Sequence, residues 1–382
     1  MDVNAKALEM HEKWRGKLEI KSKATVKTAE DLSIAYTPGV AEPCRKIHSN
    51  KEDVYKYTMK GNTVAVVSDG TAVLGLGDIG PEAALPVMEG KCVLFKELGG
   101  VNAVPICLDT KDVDEIVKTV KYLAPNYGGI NLEDIAAPRC FEIEERLKKE
   151  LDIPVFHDDQ HGTAIVVLAG IINGLKLVKK DVQAKVVING AGSAGTAICK
   201  LLLNYGFKNI IVCDKMGIIY RGAQWTNWAQ KELAEKTNPN NEQGNLADAL
   251  KNADIFVGVS APNIVTLEMA KSMNKDAIVF AMANPIPEIA PEIAKQAGIK
   301  IMGTGRSDFP NQVNNVLVFP GIFKGAMEAR TGNITEEMKL AAATALANMI
   351  PENELSEVNI LPKAFAPGVA EVVAKAVREA AK

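Results

Sequence analysis

Short apolar runs alternate with longer amphipathic stretches through most of this 382-residue chain. Between residues 63 and 159, β-rich runs are separated by segments with helical spacing: TVAVVSD, KCVLF, AVPICLD, GGINL and IPVFHDD. A second series begins near Gln183: AKVVING, IIVCD, DIFVGVS, DAIVFAMAN and IKIMGT. Strands that alternate with helices are typical of parallel βαβ units. The pattern therefore predicts two α/β units in succession.

A glycine-rich loop opens the second series. The run AKVVIN leads into Gly190-Ala191-Gly192-Ser193-Ala194-Gly195, and a helical stretch follows. Such glycines allow a tight turn and let a pyrophosphate approach the free N–H groups at a helix N-terminus. The context predicts a bound dinucleotide. The alternative is a tight turn that needs glycine only for packing.

Asp214 ends the next predicted strand, nineteen residues past Gly195. A carboxylate at this point can accept hydrogen bonds from the adenosine ribose. It favours NAD because it would repel a 2′-phosphate. Lys215 and Arg221 lie nearby and could offset that repulsion, so the choice between NAD and NADP stays open.

Together these patterns predict an α/β fold with two domains. We expect an N-terminal α/β substrate- and metal-binding domain at 1–160 and a Rossmann-type NAD(P)-binding domain at 161–318. A mostly apolar stretch near 162–177 predicts a helix at their interface. The mostly helical segment 319–382 is expected to pack back on the first domain.

Two acidic pairs, Glu133-Asp134 and Asp158-Asp159, follow the apolar runs GGINL and DIPVFH. Open α/β sheets bind ligands at the carboxyl ends of their strands. Four carboxylates brought together there would repel unless a cation or a shared proton intervened. Ligation by oxygen alone favours Mg²⁺ or Mn²⁺ over zinc. The alternative is that these aspartates are ordinary helix N-caps.

Composition excludes several classes of protein. The net charge of −3 provides no field that would attract nucleic acid or an anionic membrane. The longest apolar stretch, 163–172, is too short for a bilayer span, and residues 1–20 lack the apolar core of a signal peptide. The six cysteines are scattered and include no CxxC pair. We expect a cytoplasmic protein with free thiols and no nucleic-acid or membrane partner.

Five further residues are candidates for chemistry. Lys91 borders the apolar run KCVLF, where desolvation and a nearby cation would lower its pKa, as a general base requires. Tyr36 precedes a Pro-Gly turn, and Asn284 and the pair Asn314-Asn315 follow the last strands of the second series. Each has an ordinary alternative, which is packing for the tyrosine, solvation for the lysine and turn formation for the asparagines.

The order of the motifs resembles malic enzyme in its short prokaryotic form, over essentially the whole chain. The motifs are YTPGVA, DGTAVLGLGDIGPEAALPVMEGK, NLEDI, HDDQHGTA, GAGSAG, FAMANP and NNVLVFPG. The resemblance implies oxidative decarboxylation of L-malate to pyruvate and CO₂ with reduction of NAD or NADP. It also implies a homodimer and a small-molecule substrate.

The resemblance also implies roles for individual residues. It implies metal ligands at Glu133, Asp134 and Asp159, a general base at Lys91 with Asp158 beside it, a general acid at Tyr36, and substrate or cofactor contacts from Asn284, Asn314 and Asn315. Longer eukaryotic-type enzymes have an arginine before LGLGD that helps to bind a malate carboxylate. This chain has Ala72 there, so the partner of that carboxylate stays open.

Three rival functions remain at this point. A malolactic enzyme shares the scaffold but retains its cofactor and releases lactate. An amino-acid dehydrogenase combines two domains with a catalytic lysine and needs no metal. A catalytically inactive nucleotide sensor would lack one of the chemical residues, and here all of them are present. The sequence also leaves open whether Tyr36 or Lys91 serves the cleft of a neighbouring subunit.

Overall fold

Two sheets organise the protein, whose computed structural model describes residues 2–73 and 75–382. The strands are β1 (Thr63–Ser68), β2 (Asn102–Cys107), β3 (Gly129–Leu132), β4 (Val155–His157), β5 (Val186–Asn189), β6 (Ile210–Asp214), β7 (Gly217–Ile218), β8 (Ile255–Gly258), β9 (Ile278–Ala281) and β10 (Ile301–Thr304). The first sheet has the order β2-β1-β3-β4, and the second has the order β10-β9-β8-β5-β6-β7.

The helices are α1 (Val3–Trp14), α2 (Ala29–Ala35), α3 (Ala41–Ser49), α4 (Val54–Tyr57), α5 (Pro81–Gly99), α6 (Val113–Leu123), α7 (Arg139–Glu150), α8 (Asp158–Val178), α9 (Ser193–Tyr205), α10 (Trp228–Lys236), α11 (Leu246–Leu250), α12 (Leu267–Lys271), α13 (Pro291–Gln296), α14 (Phe319–Glu328), α15 (Glu336–Ala347) and α16 (Val369–Ala380). Short 3-10 turns lie at Lys51–Asp53, Met59–Asn62, Ala124–Asn126, Asn315–Leu317 and Glu352–Glu354.

The predicted α/β class is confirmed. All strand pairs in the first sheet are parallel. In the second sheet only the short β7 pairs antiparallel, with β6. Parallel strands with buried faces on both sides need helices as cover, which the alternating segments between the strands supply.

The run KCVLF, predicted as a strand, lies inside helix α5, so that prediction is wrong. The buried residues of α5 include Ala84, Met88, Cys92 and Phe95, which are spaced three or four apart. This spacing places them on one face of a helix. Lys91 therefore stands on a helix rather than at the lip of a strand.

Helix α8 joins the two sheets into one core. Every residue from Ala164 to Leu175 is buried, and one apolar cluster extends from β1 and α5 through α8 to β5. Gly170 and Gly174 let the helix approach β9, because a Cβ on either would lie 2.8 Å from Phe280 or Ile278. Within the described residues α8 is the one helix long and apolar enough to cross a membrane, and 72% of its apolar window is buried inside the protein.

Three C-terminal helices complete the core. Helix α14 packs on α5 and α16, and α15 packs on α8 and α9. Two glycines bring α14 close to α16, because a Cβ on Gly321 would lie 2.6 Å from the carbonyl oxygen of Ala370 and one on Gly325 would lie 2.5 Å from that of Ala374.

We expect Gly325→Val to destabilise the protein by about 2–4 kcal/mol, because the new side chain must push α14 away from α16. Gly90→Ala is the matched control. Gly90 is also helical, but a Cβ there meets only the flexible end of Lys17, so the change should be neutral or stabilising. Urea unfolding of both variants measures the difference, and equal midpoints would contradict the packing argument.

The N-terminal arm, residues 2–50, differs from the rest because none of its residues is buried. Its main tie to the body is Lys17, whose backbone N–H donates to Glu89 and whose ammonium donates to the carbonyl of Pro86, both on α5. The arm exposes many large apolar side chains, among them Val3, Leu8, Trp14, Leu18, Ile20, Val26, Leu32 and Ile34. Apolar surface of this extent is typical of interaction sites.

Candidate active site

The two acidic pairs meet at the carboxyl edge of the first sheet. Glu133 and Asp134 follow β3, while Asp158 and Asp159 open α8 directly after β4. Strands β3 and β4 are parallel neighbours, so their ends bring the pairs together. One carboxylate oxygen from each of Glu133, Asp134 and Asp159 lies within 4.8 Å of the other two.

Lys91 reaches this cluster from α5. Its Nζ lies 2.7 Å from Oδ2 of Asp158 and 2.8 Å from Oε1 of Glu133, and only 9% of its side chain is exposed. The ammonium also lies 4.3 Å from the ring centre of Phe319, the first residue of α14. Glu133 accepts a further hydrogen bond from the amide of Asn131, 2.8 Å away.

Charge and burial displace the pKa values of the whole cluster. Burial, the largest cause, and the neighbouring carboxylates raise the pKa of Asp134 to about 9, of Asp158 to about 7 and of Asp159 to about 6, and they also raise that of Glu133. Burial by itself lowers the pKa of Lys91, but attraction to Asp158, Glu133 and Asp159 outweighs it and raises that pKa. The raised pKa of Lys91 is opposite to the lowered pKa that we expected from the sequence.

The residues fit a hard divalent cation. Ligands on opposite sides of an octahedral Mg²⁺ stand about 4.2 Å apart, which matches the span of the three carboxylate oxygens. The donors are all oxygen, and the raised carboxyl pKa values show that their negative charges lack sufficient compensation. Glu133, Asp134 and Asp159 could therefore hold Mg²⁺ or Mn²⁺, and their role as metal ligands stays a prediction.

The glycine loop lies between β5 and α9 and leaves room for a ligand. A Cβ on Gly190 would lie 2.5 Å from the carbonyl oxygen of Val259, and one on Gly195 would lie 1.7 Å from that of Gly190. A Cβ on Gly192 would meet nothing within 4 Å among the described residues. Gly190 and Gly195 thus permit the tight turn, while Gly192 faces open space where a pyrophosphate can approach Ser193 and Ala194 at the start of α9.

Asp214 ends β6 beside this loop. A cavity of about 490 Å³ is lined by Gly190, Asp214, Lys215 and Ser260 among others, so the loop and the carboxylate face one space. Asp214 accepts hydrogen bonds from the amide of Gln230 and from the backbone of Lys215. The cavity can accommodate the adenosine half of a dinucleotide.

The three candidate asparagines differ in their surroundings. Asn314 caps the following 3-10 turn, since its Oδ1 accepts from the N–H of Val316 at 3.0 Å. Asn315 lies beside the start of α8, because a Cβ on Gly162 would lie 3.1 Å from the Cβ of Asn315 and 1.9 Å from Oδ1 of Asp158. Asn284 stands after β9, and its amide donates to the carbonyl of Met282 at 3.3 Å.

Tyr36 stands apart from the cluster. It follows α2 in the N-terminal arm, its side chain is 67% exposed, and its hydroxyl has no hydrogen-bond partner in the part of the chain that the structure describes. The structure thus brings together Lys91 and the four carboxylates but leaves Tyr36 on the surface.

Sequence reasoning missed Arg139, which fixes the loop that carries Ala72. Its guanidinium donates to Asp69 at 2.8 Å and to the hydroxyl of Thr71 at 3.0 Å. The N–H of Ala72 then donates to the carbonyl of Asp134 at 2.9 Å. No local pattern marks Arg139, because its partners lie about 70 residues away along the chain.

Comparison with known proteins agrees with this arrangement. The family described as "Malic enzyme, N-terminal domain" matches residues 15–148, and "Malic enzyme, NAD binding domain" matches residues 160–382. A bifunctional malic/malolactic enzyme of Bacillus subtilis is 60% identical over 100% of this chain and 93% of its own length. An NAD-dependent malic enzyme of Geobacillus stearothermophilus is 59% identical over 96% of this chain and 77% of its own length.

Solved structures give the same result. The NAD-dependent malic enzyme of Thermotoga maritima is 49% identical, with a TM-score of 0.94 over 97% of this chain and 98% of its own. The malic enzyme of Pyrococcus horikoshii is 48% identical, with a TM-score of 0.95 over 99% of this chain and 90% of its own. From the sequence matches, the shared fold and the dinucleotide loop beside the carboxylate cluster, we conclude that this chain belongs to the malic enzyme family.

Proposed function

We propose that the protein oxidises and decarboxylates L-malate to pyruvate and CO₂, with reduction of NAD or NADP and a requirement for Mg²⁺ or Mn²⁺. The observation that carries the proposal is the position of Lys91, which contacts Glu133 and Asp158 at the edge of a three-carboxylate cluster. Lys91 contacts Glu133, which is also one of the proposed metal ligands. Lys91 would therefore lie beside a substrate that the metal holds.

The chain's own residues would move the protons. Lys91 in its neutral form takes the proton of the C2 hydroxyl, and Asp158, 2.7 Å away, orients the amine and accepts its hydrogen bond. Asn315, which lies beside Gly162 of α8, and Asn284 would offer amides to a substrate carboxylate or to the nicotinamide ribose. Burial by Phe319 limits the access of water to Lys91.

Glu133, Asp134 and Asp159 would hold the cation. A cation bound there would supply Lewis-acid polarisation of the C2 oxygen and positive charge that opposes protonation of Lys91, and a bound dinucleotide would supply the hydride acceptor. The neighbouring carboxylates raise the pKa of Lys91 and favour its charged form. A nearby cation would lower that pKa, which Lys91 needs in order to act as a neutral base.

We infer further that the enzyme is a homodimer in which Tyr36 protonates C3 in the cleft of the partner subunit. Tyr36, the proposed acid, is 67% exposed, while Lys91, Glu133 and Asp158 are buried. The arm that carries Tyr36 has no buried residue and exposes a row of apolar side chains. A second copy of the chain would cover that surface and receive the tyrosine.

A malolactic reaction, in which malate gives lactate and CO₂ with retained NAD, is the second candidate. It is favoured by the Bacillus subtilis relative, which is named for both activities. The two reactions share every residue proposed above and differ in whether the reduced cofactor leaves before pyruvate does.

Absorbance at 340 nm with L-malate, Mn²⁺ and either NAD or NADP tests the proposal, together with assays for pyruvate and lactate. We expect metal-dependent reduction with an equal amount of pyruvate. Lactate without net reduction would establish the malolactic reaction instead. Absence of both products in protein saturated with metal would contradict both candidates.

We propose NAD as the preferred dinucleotide because Asp214 would repel a 2′-phosphate. Asp214→Asn should lower the ratio of kcat/KM for NAD to kcat/KM for NADP by about tenfold, which corresponds to about 1.4 kcal/mol of lost discrimination. Asp248→Asn, an exposed carboxylate on α11, is the control. Steady-state kinetics with both cofactors measure the ratio, and an unchanged ratio in Asp214→Asn would remove the role of Asp214.

A further inference from the structure

Glu288 is a fully buried carboxylate that has no part in the chemistry proposed above. It lies between the loops that follow β8 and β9, and 0% of it is exposed. It takes part in no ion pair within the described residues, and burial, the main influence on its pKa, raises that pKa. A buried carboxylate without a counter-ion is costly, so its position calls for a physical explanation.

Two backbone N–H groups take the place of a counter-ion. Oε1 of Glu288 accepts from the N–H of Ser260 at 2.8 Å, and Oε2 accepts from the N–H of Ala283 at 3.0 Å. The backbone carbonyl of Glu288 also accepts from the N–H of Val265 at 3.0 Å. Glu288 therefore ties the loop after β8 to the loop after β9.

The carboxylate of Glu288 fits closely against the end of β8. A Cβ on Gly258, the last residue of β8, would lie 2.5 Å from Cδ of Glu288 and 2.8 Å from its Oε1. The missing side chain at Gly258 thus leaves the space that the carboxylate occupies.

Both loops border the dinucleotide site. Ser260 lines the same cavity as Gly190 of the glycine loop. The hydroxyl of Ser260 accepts from the amide of Asn189, the residue before Gly190, at 2.6 Å. Ala283 directly precedes Asn284, one of the proposed contacts of the nicotinamide ribose. A shift of the Glu288 carboxylate would therefore reach the glycine loop through one loop and Asn284 through the other.

The strand order indicates which half of a dinucleotide these loops meet. Strand β6, which ends at Asp214, lies on one side of β5, and strands β8 and β9 lie on the other side. A dinucleotide whose pyrophosphate lies at the start of α9 crosses the sheet edge at β5. With its adenosine beside Asp214, its nicotinamide half extends toward the loops that Glu288 holds.

We propose that Glu288 is a positioning residue for the nicotinamide half of the dinucleotide. Because it is fully buried, it acts through the backbone of Ser260 and Ala283 rather than by contact with the ligand. The proposal concerns the binding of the dinucleotide. It can therefore be measured without malate, and a failure of the proposed reaction would not affect the measurement.

Glu288→Gln tests the proposal. The amide has one acceptor oxygen and an NH₂ group that cannot accept, so one of the two backbone N–H groups loses its partner. Calorimetric titration of the intact wild-type protein with NADH and with NADPH identifies the tighter dinucleotide, whose affinity should fall by about tenfold in the variant. ADP has the adenosine half and both phosphates but no nicotinamide, so its affinity should change by less than about twofold.

Gly258→Ala is the second variant. Its methyl group would displace the carboxylate of Glu288 without changing any charge, so it should show the same selective loss of dinucleotide affinity. Ile301→Ala is the control for stability, because Ile301 is buried at the start of β10, on the opposite edge of the parallel sheet. This control should lower the melting temperature through lost packing and leave the affinities for ADP and the dinucleotide unchanged.

Equal losses of affinity for ADP and for the dinucleotide would show that Glu288 supports the whole domain, and they would overturn the proposal. An unchanged dinucleotide affinity in folded Glu288→Gln, or a wild-type protein that binds neither NADH nor NADPH, would also overturn it. If Glu288→Gln does not fold, Gly258→Ala gives the decisive comparison. A selective loss in a protein that does not turn over malate would contradict the proposed function alone.

Discussion

Mixed dimers of Lys91→Ala and Tyr36→Phe chains should regain malate turnover, although each variant alone should be slowed by about 10²–10⁴-fold. If Tyr36 acts in the partner's cleft, a mixed dimer has one cleft with both groups intact. Random assembly from equal amounts makes half of the dimers mixed, so about a quarter of wild-type activity should return. Co-expression with two affinity tags isolates the mixed dimers for assay.

The control for this experiment pairs Lys91→Ala with Glu133→Gln. Glu133 lies 2.8 Å from Lys91 in the same chain, so every cleft of that mixed dimer lacks one of the two groups. No activity should return. If the tagged Lys91→Ala/Tyr36→Phe dimer also stays inactive, Tyr36 does not act across the interface.

Asp159→Asn should have opposite effects on stability with and without Mn²⁺. In metal-free protein it removes repulsion among buried carboxylates whose pKa values are raised, so it should stabilise the fold by about 1 kcal/mol. With Mn²⁺ it removes a ligand. The affinity of the protein for Mn²⁺ should fall by about 100-fold or more. Most of the increase in stability that Mn²⁺ gives the wild-type protein should then disappear.

Thermal unfolding with EDTA and with Mn²⁺ measures both effects, and turnover of malate gives the accompanying loss of activity. Glu150→Gln is the control, because this carboxylate pairs with Lys121 at the surface. An Mn²⁺-induced shift of the melting temperature that is equal in Asp159→Asn and wild type would remove Asp159 from the proposed ligand set.

The sequence predicted the parts of the fold that depend on local pattern. Both strand series form parallel sheets, and the run near 162–177 forms the buried helix α8. The prediction failed at KCVLF, because a short apolar run inside a longer amphipathic pattern can be strand or helix. The domain limits at 160 and 318 stay predictions.

The candidate site also has features that the sequence predicted and features that it could not predict. Strand ends predicted that the two acidic pairs converge, since the carboxyl ends of parallel strands share one edge. The raised pKa of Lys91 could not be predicted, because it depends on carboxylates more than 40 residues away.

The contact between Lys91 and Phe319 has a consequence for the order of synthesis. Lys91 is synthesised early, but Phe319, which covers its ammonium, belongs to α14. Helix α14 in turn packs closely on α16 at Gly321 and Gly325. A nascent chain that has completed both sheets would still present its lysine to water. The proposed chemistry is therefore expected only in chains in which both α14 and α16 have folded into place.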